Sequence, residues 1–397
     1  MVESRSPEED SGNGQEDSAL SSNASPEPSL REPIDQVVHR ILDIEECALE
    51  YIQKASARYN EEADKLKNEL SQEQKNLSDD KPNSHRLLAL RSIRSTIRQI
   101  DRHNKSSPVR TLEQSLFIHL FAAFDKYIGD LVLMLYQHNQ DLYKNINREI
   151  ALSEALKYDS MDALRHAMLD KEIEAIRRKS YTDQFKDLEN RFSITLTKFD
   201  EWPYFVERAQ RRNLFTHCDG VVSAQYLEIC RSVGCKFKEQ KQIGQRLDIG
   251  AKYFFHSCLL VAQVAIMLGQ TLWRKVIPGQ IDKADLHLVH IIFHYLSDEK
   301  WAHAISLSKF ALSLPRVSTD EVERIFTVNY AIALKAINKG AAAKKILDKK
   351  DWTATTYDFK LAYAVLSEKY ADAEELMKKI GKQGELSTSI ELFVKFN

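Results

Sequence analysis

Residues 116–128 read LFIHLFAAFDKYI, an apolar run in which one carboxylate, Asp125, stands among aromatic and aliphatic side chains. Apolar residues recur here at steps of three and four, which is the period of an α-helix that buries one face. The inner stripe extends toward residue 138 and consists of Leu116, Leu120, Phe124, Ile128, Leu131 and Leu135. The run therefore predicts a long core helix that carries an acidic residue within its apolar stretch.

The same helical period extends in both directions from this run. Residues 34–74 and 249–273 repeat it, and the second range contains the most apolar long stretch of the chain. Only 12 Gly and 9 Pro occur among the 397 residues, which is unfavourable for a chain of many short strands and tight turns. The sequence therefore predicts an all-α fold.

Composition divides the chain into four segments. The first 33 residues are rich in Ser, Glu and Pro, which predicts a disordered acidic tail, with a solvated leader of no specific role as the plainer interpretation. Residues 34–107 predict a helical extension in the form of a coiled-coil hairpin. Residues 108–276 predict a helical bundle, and Pro278-Gly279 separates it from a further helical segment, residues 280–397.

The C-terminal segment contains a weak internal repeat. Short polar turns followed by small residues recur at Trp301, Gly340 and Tyr370, in two steps that average roughly 34 residues. This is the period of tetratricopeptide repeats, whose small residues let paired helices approach closely. The segment therefore predicts a tetratricopeptide-like α-solenoid, and we expect it to bind a protein partner or a trigger.

Net charge, cysteine content and hydrophobicity indicate the cellular compartment and the class of partner. The net charge of −2 gives no overall attraction to nucleic acid, so any RNA contact requires a local basic patch. Five irregularly spaced cysteines and an acidic N-terminus, unlike a secretory signal, favour a reducing, cytoplasmic location. Polar residues interrupt the apolar stretch 253–273, which favours a buried core helix and no membrane partner.

The candidate catalytic residues lie in the stretch 211–220, which reads RRNLFTHCDG. Here the sequence resembles the HEPN superfamily, whose nuclease members carry an Arg followed after four to six residues by a His, often with Asn directly after the Arg. Arg212, Asn213 and His217 match this pattern with four residues between Arg and His. The following Gly220 and Tyr226 also fit the resemblance.

The resemblance covers roughly residues 110–275 and includes the apolar helix described first. In the family that helix commonly bears an acidic residue directed at the motif arginine, and Asp125 is the matching position. The resemblance implies an endoribonuclease that needs no metal or other cofactor, acts on RNA as a homodimer, and belongs among toxins or anti-phage defence effectors. The rival hypothesis is a catalytically inactive HEPN scaffold that mediates dimerisation and protein–protein interaction.

The residue types suit RNA cleavage. RNA carries its own nucleophile, the 2′-hydroxyl, so an enzyme must supply a base, an acid and a cation for the charged transition state. His217 exchanges protons near neutral pH, and Arg212 binds phosphate oxygens bidentately. Asn213 is positioned to hold the phosphate or to orient the histidine. Arg208 and Arg211 are candidate supporting cations, or else plain surface charges.

Helix geometry adds a condition to this hypothesis. Five residues of ideal helix separate Arg212 from His217 by about 140°, so the two side chains do not share one face. Both reach one phosphate if the helix ends near His217, which Asp219-Gly220 predicts, or if a second subunit contributes.

Two further patterns have alternative interpretations. Arginines at 86, 91, 94, 98 and 102 either follow a phosphate backbone or form a solvated helix face. Histidines at 287, 290, 294 and 303 have helical spacings that suit a metal, but no supporting carboxylate motif accompanies them, which favours packed or exposed histidines and no metal site.

Overall fold

The computed structural model of the chain describes residues 30–77, 82–146, 149–237 and 241–383. These residues form fifteen α-helices, and the only β-pairing among them is an isolated bridge between Val221 and Arg246. The predicted all-α class is therefore confirmed. The helices of the N-terminal half are α1 (Arg31–Lys75), α2 (Asn83–Lys105), α3 (Pro108–His138), α4 (Leu152–Ala155), α5 (Met161–Arg177), α6 (Tyr181–Phe192), α7 (Trp202–Cys218) and α8 (Ala224–Ser232). Those of the C-terminal half are α9 (Ala251–Val276), α10 (Ile281–Ser297), α11 (Trp301–Ser313), α12 (Asp320–Ala336), α13 (Gly340–Leu347), α14 (Tyr357–Leu366) and α15 (Tyr370–Gln383).

Helices α3 and α9 form the centre of the bundle. Helix α3 packs against α1, α5, α7 and α9, and α9 also contacts α10 and α11. The two central helices are held by the Tyr127 hydroxyl, which donates to the Ala265 carbonyl oxygen at 2.7 Å. Gly269 makes this approach possible, because a β-carbon there would lie 2.5 Å from the Tyr127 hydroxyl oxygen. The apolar run 116–128 lies in the middle of α3 and is thus part of a core helix, as the sequence predicts.

Helix α1 occupies two environments along its length. Its first half is part of the bundle core, where Ile34, Val37 and Ile41 are buried. Its second half is largely exposed and pairs with α2, where the Tyr59 hydroxyl donates to the His103 carbonyl oxygen at 3.0 Å. Residues 31–33, assigned from the sequence to the tail, form the start of this helix, with Leu30 as its N-cap residue, and the remainder of the predicted tail lies outside the described residues.

Helix α2 faces its partner with small and polar side chains. Ala89 and Thr96 are buried against α1, whereas Leu87, Leu90 and Ile97 are each more than half exposed. Apolar periodicity alone would have placed those three residues on the inner face. The hairpin therefore presents an outer face that no other described element covers.

Three helix pairs build the C-terminal part: α10 with α11, α12 with α13, and α14 with α15. In each connecting turn one residue adopts a left-handed conformation two positions before the second helix, namely Glu299, Asn338 and Glu368. The residue after it donates its backbone N–H to a carbonyl of the first helix in all three pairs, at 2.8, 2.9 and 2.8 Å. The weak sequence repeat thus corresponds to a repeated turn geometry.

Helix α9 is long and apolar enough to cross a membrane by length and composition. Most of its side chains are buried within the protein, among them Phe254, Val261 and Trp273. Packing against α1, α3, α10 and α11 accounts for its composition without a lipid phase.

Candidate active site

Helix α7 carries the Arg212–His217 motif, and its buried side is anchored by an ionic cluster. The carboxylate oxygen Oε1 of Glu207 accepts a hydrogen bond from Arg211 Nε at 2.8 Å, and Arg211 Nη2 forms an ion pair with the same oxygen at 2.7 Å. The hydroxyls of Tyr226 and Tyr253 donate to the same carboxylate at 2.7 and 2.8 Å. A buried charge is tolerated when paired and hydrogen-bonded in this way, so the cluster fixes the rotation of α7 about its axis.

The helix ends one residue after His217. Asp219 and Gly220 both adopt left-handed conformations, with φ of 46° and 78°, and the Gly220 N–H donates to the Leu214 carbonyl oxygen at 3.0 Å. Glycine is required at the second position, since a β-carbon would lie 2.6 Å from Phe215 Cε1. The helix end expected from Asp219-Gly220 is therefore present, with Asp219 left-handed as well.

Arg212 is held from two directions. Its Nη2 lies 3.1 Å from Oδ2 of Asp125 on α3, and it donates to the Tyr181 hydroxyl oxygen at 2.9 Å. The Tyr181 hydroxyl in turn donates to Oδ1 of Asp125 at 2.6 Å. The three side chains thus form a closed ring of hydrogen bonds that connects α3, α6 and α7.

The hydrogen-bonded group of Asp125, Tyr181 and Arg212 is partly buried and lies against aromatic side chains. The guanidinium carbon of Arg212 lies 5.8 Å from the ring centroid of Phe121 and 5.5 Å from that of Tyr181, within cation–π range. Burial raises the pKa of Asp125 above its ordinary value, although the Tyr181 hydroxyl and the Arg212 guanidinium act in the opposite direction. Burial also raises the pKa of Tyr181, which therefore remains a neutral donor.

A pocket of about 460 Å3 brings together Arg212, Asn213 and His217, with Asp125 also in its wall. The Asn213 side-chain oxygen accepts a hydrogen bond from Arg212 Nη1 at 3.2 Å. His217 is exposed at the helix end, and its ring has no hydrogen-bond partner among the described residues. The ending of the helix thus allows two side chains about 140° apart on an ideal helix to line one cavity.

The connection between α5 and α6 supplies further positive charge to this pocket. Arg177, the last residue of α5, and the following Arg178 and Lys179 line it. Arg178 also pairs with Glu174 and Lys179 with Asp187. The Arg177 side chain donates through Nε to the Asp125 carbonyl oxygen at 3.1 Å. An anion that entered the pocket would therefore meet guanidinium groups from α7 and from this connection.

Arg208 and Arg211 are not brought into the pocket. Arg211 points to Glu207, and Arg208 donates to Ser257 Oγ at 3.1 Å and to the Tyr204 carbonyl oxygen at 3.0 Å. The guanidinium carbon of Arg208 lies 5.0 Å from the ring centroid of Tyr253, and that of Arg211 lies 4.0 Å from it. In this structure neither side chain lines the pocket that Arg212, Asn213 and His217 share.

Two residues that hold the site had no clear sequence signal. Tyr181 lies at the start of α6, directly after the Ser180 cap, and nothing in its neighbourhood predicts contact with Arg212. Glu207 had a partial signal, because it precedes Arg211 by four residues and such a pair meets on one helix face. That spacing does not reveal that the pair is buried.

Two of the C-terminal histidines, His287 and His303, form structural contacts. The two ring nitrogens of His287 lie 2.8 Å from Asp35 Oδ1 and 3.1 Å from the Gln270 side-chain nitrogen. His303 stacks on Tyr295 with 4.4 Å between ring centroids. In the described part of the chain no three His, Cys, Asp or Glu side chains are grouped as a metal site would require.

The pocket combines an exposed imidazole, a fixed guanidinium and an amide. These groups can transfer protons and stabilise a phosphate-like anion. Comparison of the chain with protein-family models, with curated proteins and with solved structures finds no match.

Proposed function

We propose that this chain is a metal-independent endoribonuclease of the HEPN type. The observation that carries the proposal is the Arg212 guanidinium, which Asp125 and Tyr181 hold in the wall of a pocket that His217 also lines. A rigidly held cation beside a proton-exchanging group suits cleavage of a phosphodiester. The neighbouring Arg177, Arg178 and Lys179 suit an anionic polymer better than a neutral substrate.

In the proposed reaction the 2′-hydroxyl oxygen attacks the adjacent phosphorus and loses its proton to a base. The bond from phosphorus to the 5′ oxygen breaks, and that oxygen receives a proton from an acid. The products are a 2′,3′-cyclic phosphate and a free 5′-hydroxyl. His217 exchanges one of these protons, Arg212 stabilises the charge on the phosphate oxygens, and Asn213 orients the phosphate.

A single copy of the motif supplies one imidazole for two proton transfers. A homodimer with two motifs facing one cleft would supply both the base and the acid, and the exposure of His217 is compatible with such a cleft. We further propose that the C-terminal helix pairs form a tetratricopeptide-like domain that binds a partner or a trigger. A cytoplasmic toxin or anti-phage effector is the biological role that suits this combination.

Cleavage of labelled RNA in EDTA tests the proposal. We expect wild type to yield cyclic phosphate ends, and Arg212→Ala and His217→Ala to lose at least about 100-fold in rate, as is typical for loss of acid–base or charge stabilisation. His166→Ala is the matched control, because His166 is exposed on α5 outside the pocket. Equal rates for wild type and both motif variants would exclude the proposed mechanism.

One observation favours the inactive scaffold as a second candidate. A general base histidine is normally oriented by a second hydrogen bond, and the His217 ring lacks one among the described residues. A scaffold would still dimerise in analytical ultracentrifugation and would leave RNA intact. The cleavage assay on a protein shown to be a dimer therefore separates the two candidates.

A further inference from the structure

The outer face of α2 carries four arginines in one line. Arg91, Arg94, Arg98 and Arg102 follow one another at steps of three, four and four. At 100° per residue these positions fall within an arc of about 80°, and at 1.5 Å per residue they extend over about 16 Å. We call these four residues the arginine stripe.

The arginine stripe has no acidic partner within the described chain. All four side chains are exposed, and none forms an ion pair or a hydrogen bond with another described residue. The nearby Lys105 differs, because Asp101 lies 2.8 Å from its ammonium group. Four uncompensated guanidiniums on one face produce a local positive field that the chain's net charge of −2 conceals.

The arginine stripe leads toward the motif helix. Helix α2 ends at Lys105, and α3 begins at Pro108 after a two-residue connection. Near the start of α3, Arg110 donates to the Asp219 carbonyl oxygen at 3.5 Å. Asp219 is the residue at which the motif helix ends, two positions after His217. The C-terminal end of the stripe is therefore joined to the side of the pocket where His217 lies.

We propose that the arginine stripe binds the sugar-phosphate backbone of RNA that extends beyond the cleavage pocket. This inference rests on the proposed ribonuclease function and adds that the substrate is a long strand. Guanidiniums bind phosphate oxygens in bidentate geometry, and the contact is independent of base sequence. The hairpin would then hold the strand while the pocket cuts it.

RNA suits this face better than a lipid surface does. A helix that lies in a membrane interface needs an apolar face between its cations. Here Leu90 lies about 80° and Ile97 about 100° from the middle of the stripe, and no apolar residue between Arg91 and Arg102 falls within the arc of the arginines. Leu87 falls within that arc, but it lies one turn before Arg91 and so outside the row of arginines. The face is therefore a row of charge, as a phosphate backbone requires.

The test measures RNA binding in a His217→Ala background, so that the strand stays intact. The stripe variant changes Arg94, Arg98 and Arg102 to Gln, and the control changes Lys344, Lys345 and Lys349, which are exposed on and after α13, to Gln. Both remove three positive charges. Anisotropy with a labelled single strand of about 20 nucleotides is recorded over a salt series, because each lost phosphate contact lowers the slope of log K against log salt by about 0.7.

We expect the slope to fall by about 2 in the stripe variant and to stay unchanged in the control. In the catalytically active background the stripe variant should cleave a dinucleotide at the wild-type rate but need at least about tenfold more of the long strand for half-maximal rate. Coincident slopes for the stripe variant and the control would overturn the inference. So would a stripe-dependent loss of binding to phosphatidylserine vesicles with RNA binding unchanged.

The two proposals fail separately. If wild type leaves RNA intact while the stripe variant alone loses the salt-dependent binding, the ribonuclease function is excluded and the RNA contact of the arginine stripe stands. If wild type cleaves RNA while the slopes of the stripe variant and the control coincide, the enzyme stands and the stripe is a solvated face. Circular dichroism of each variant verifies that the hairpin remains helical.

Discussion

The guanidinium of Arg212 lies 3.1 Å from the carboxylate of Asp125, although 87 residues separate the two along the chain. The contact joins the motif helix α7 to the core helix α3, so the orientation of the candidate catalytic cation is set by the bundle core. Tyr181 closes the arrangement from α6. The positioning of Arg212 therefore depends on residues outside the short motif.

Tyr181→Phe tests this dependence. The ring would keep its packing against Phe121, Phe124 and Phe205, while the hydroxyl that joins Asp125 to Arg212 would be lost. Hydrogen bonds to charged groups contribute about 1.5–3 kcal/mol, so we predict a fall in the single-turnover cleavage rate of about tenfold or more. The substrate concentration for half-maximal rate should change little. An unchanged rate would show that Asp125 alone positions Arg212.

Gly220→Ala tests the turn that ends the motif helix. Alanine at φ 78° is strained, and its β-carbon would meet Phe215 and the Leu247 carbonyl oxygen. We predict a loss of about 1–3 kcal/mol in unfolding free energy, measured by urea denaturation, together with a lower cleavage rate. Gly234→Ala is the control, because it has a similar φ of 77° but no atom within 4 Å of the added carbon. Equal losses in the two variants would mean that backbone strain alone, without the clash, accounts for the effect.

Glu207→Gln tests the buried cluster on the other side of α7. The substitution would leave the Arg211 guanidinium buried without its counter-charge, which typically costs about 3–5 kcal/mol. We predict a loss of this size in the unfolding free energy, with the far-ultraviolet spectrum of the folded protein retained. Glu228→Gln, on the exposed face of α8, is the matched control and should change stability by less than about 0.5 kcal/mol. A small effect at Glu207 would indicate that water reaches the cluster.

Helical periodicity in the sequence predicted which residues are buried in the core helices, but not which are buried in the hairpin formed by α2 and the second half of α1. In α3 and α9 large apolar residues recur at helical spacing, and most of them are buried, although Leu116 of the predicted stripe is only half-buried. In α2 the large apolar residues Leu87, Leu90 and Ile97 are exposed, while Ala89 and Thr96 face α1. Two long helices that pack closely favour small side chains between them, and a hydrophobicity pattern does not contain that preference.

The sequence predicted those residues of the candidate site that lie close together in the chain, and it did not predict those that other helices bring to the site. Arg212, Asn213 and His217 are close in sequence, and they line one pocket. The contribution of Tyr181 depends on how α6 docks against α3 and α7, which no short pattern encodes. Arg208 and Arg211 lie beside the motif but turn to Glu207 and Ser257, because the rotation of α7 directs them away from the pocket.

Stability against acid should depend on His303, which is buried against Tyr295. Burial, with the Lys300 ammonium adding to it, lowers the pKa of His303 from 6.5 to about 3. Below pH 6.5 the unfolded chain therefore binds a proton at His303 that the folded chain does not bind until the pH approaches 3. The contribution of His303 to the unfolding free energy is fully present above pH 6.5 and is lost as the pH falls toward 3. The loss from this one group is up to about 1.4 kcal/mol per pH unit.

His303→Phe should remove this dependence while preserving the stack on Tyr295. It also removes the buried Nδ1, which has no hydrogen-bond partner in the described structure. We predict that the unfolding free energy of the variant, relative to that of wild type, rises by about 1.4 kcal/mol for each unit that the pH falls from about 6 to about 4. Urea denaturation at several pH values measures the difference, and His166→Phe, at an exposed position, should give none. A difference between His303→Phe and wild type that stays constant with pH would mean that His303 takes up its proton in the folded state, through a local opening of the contact between α10 and α11.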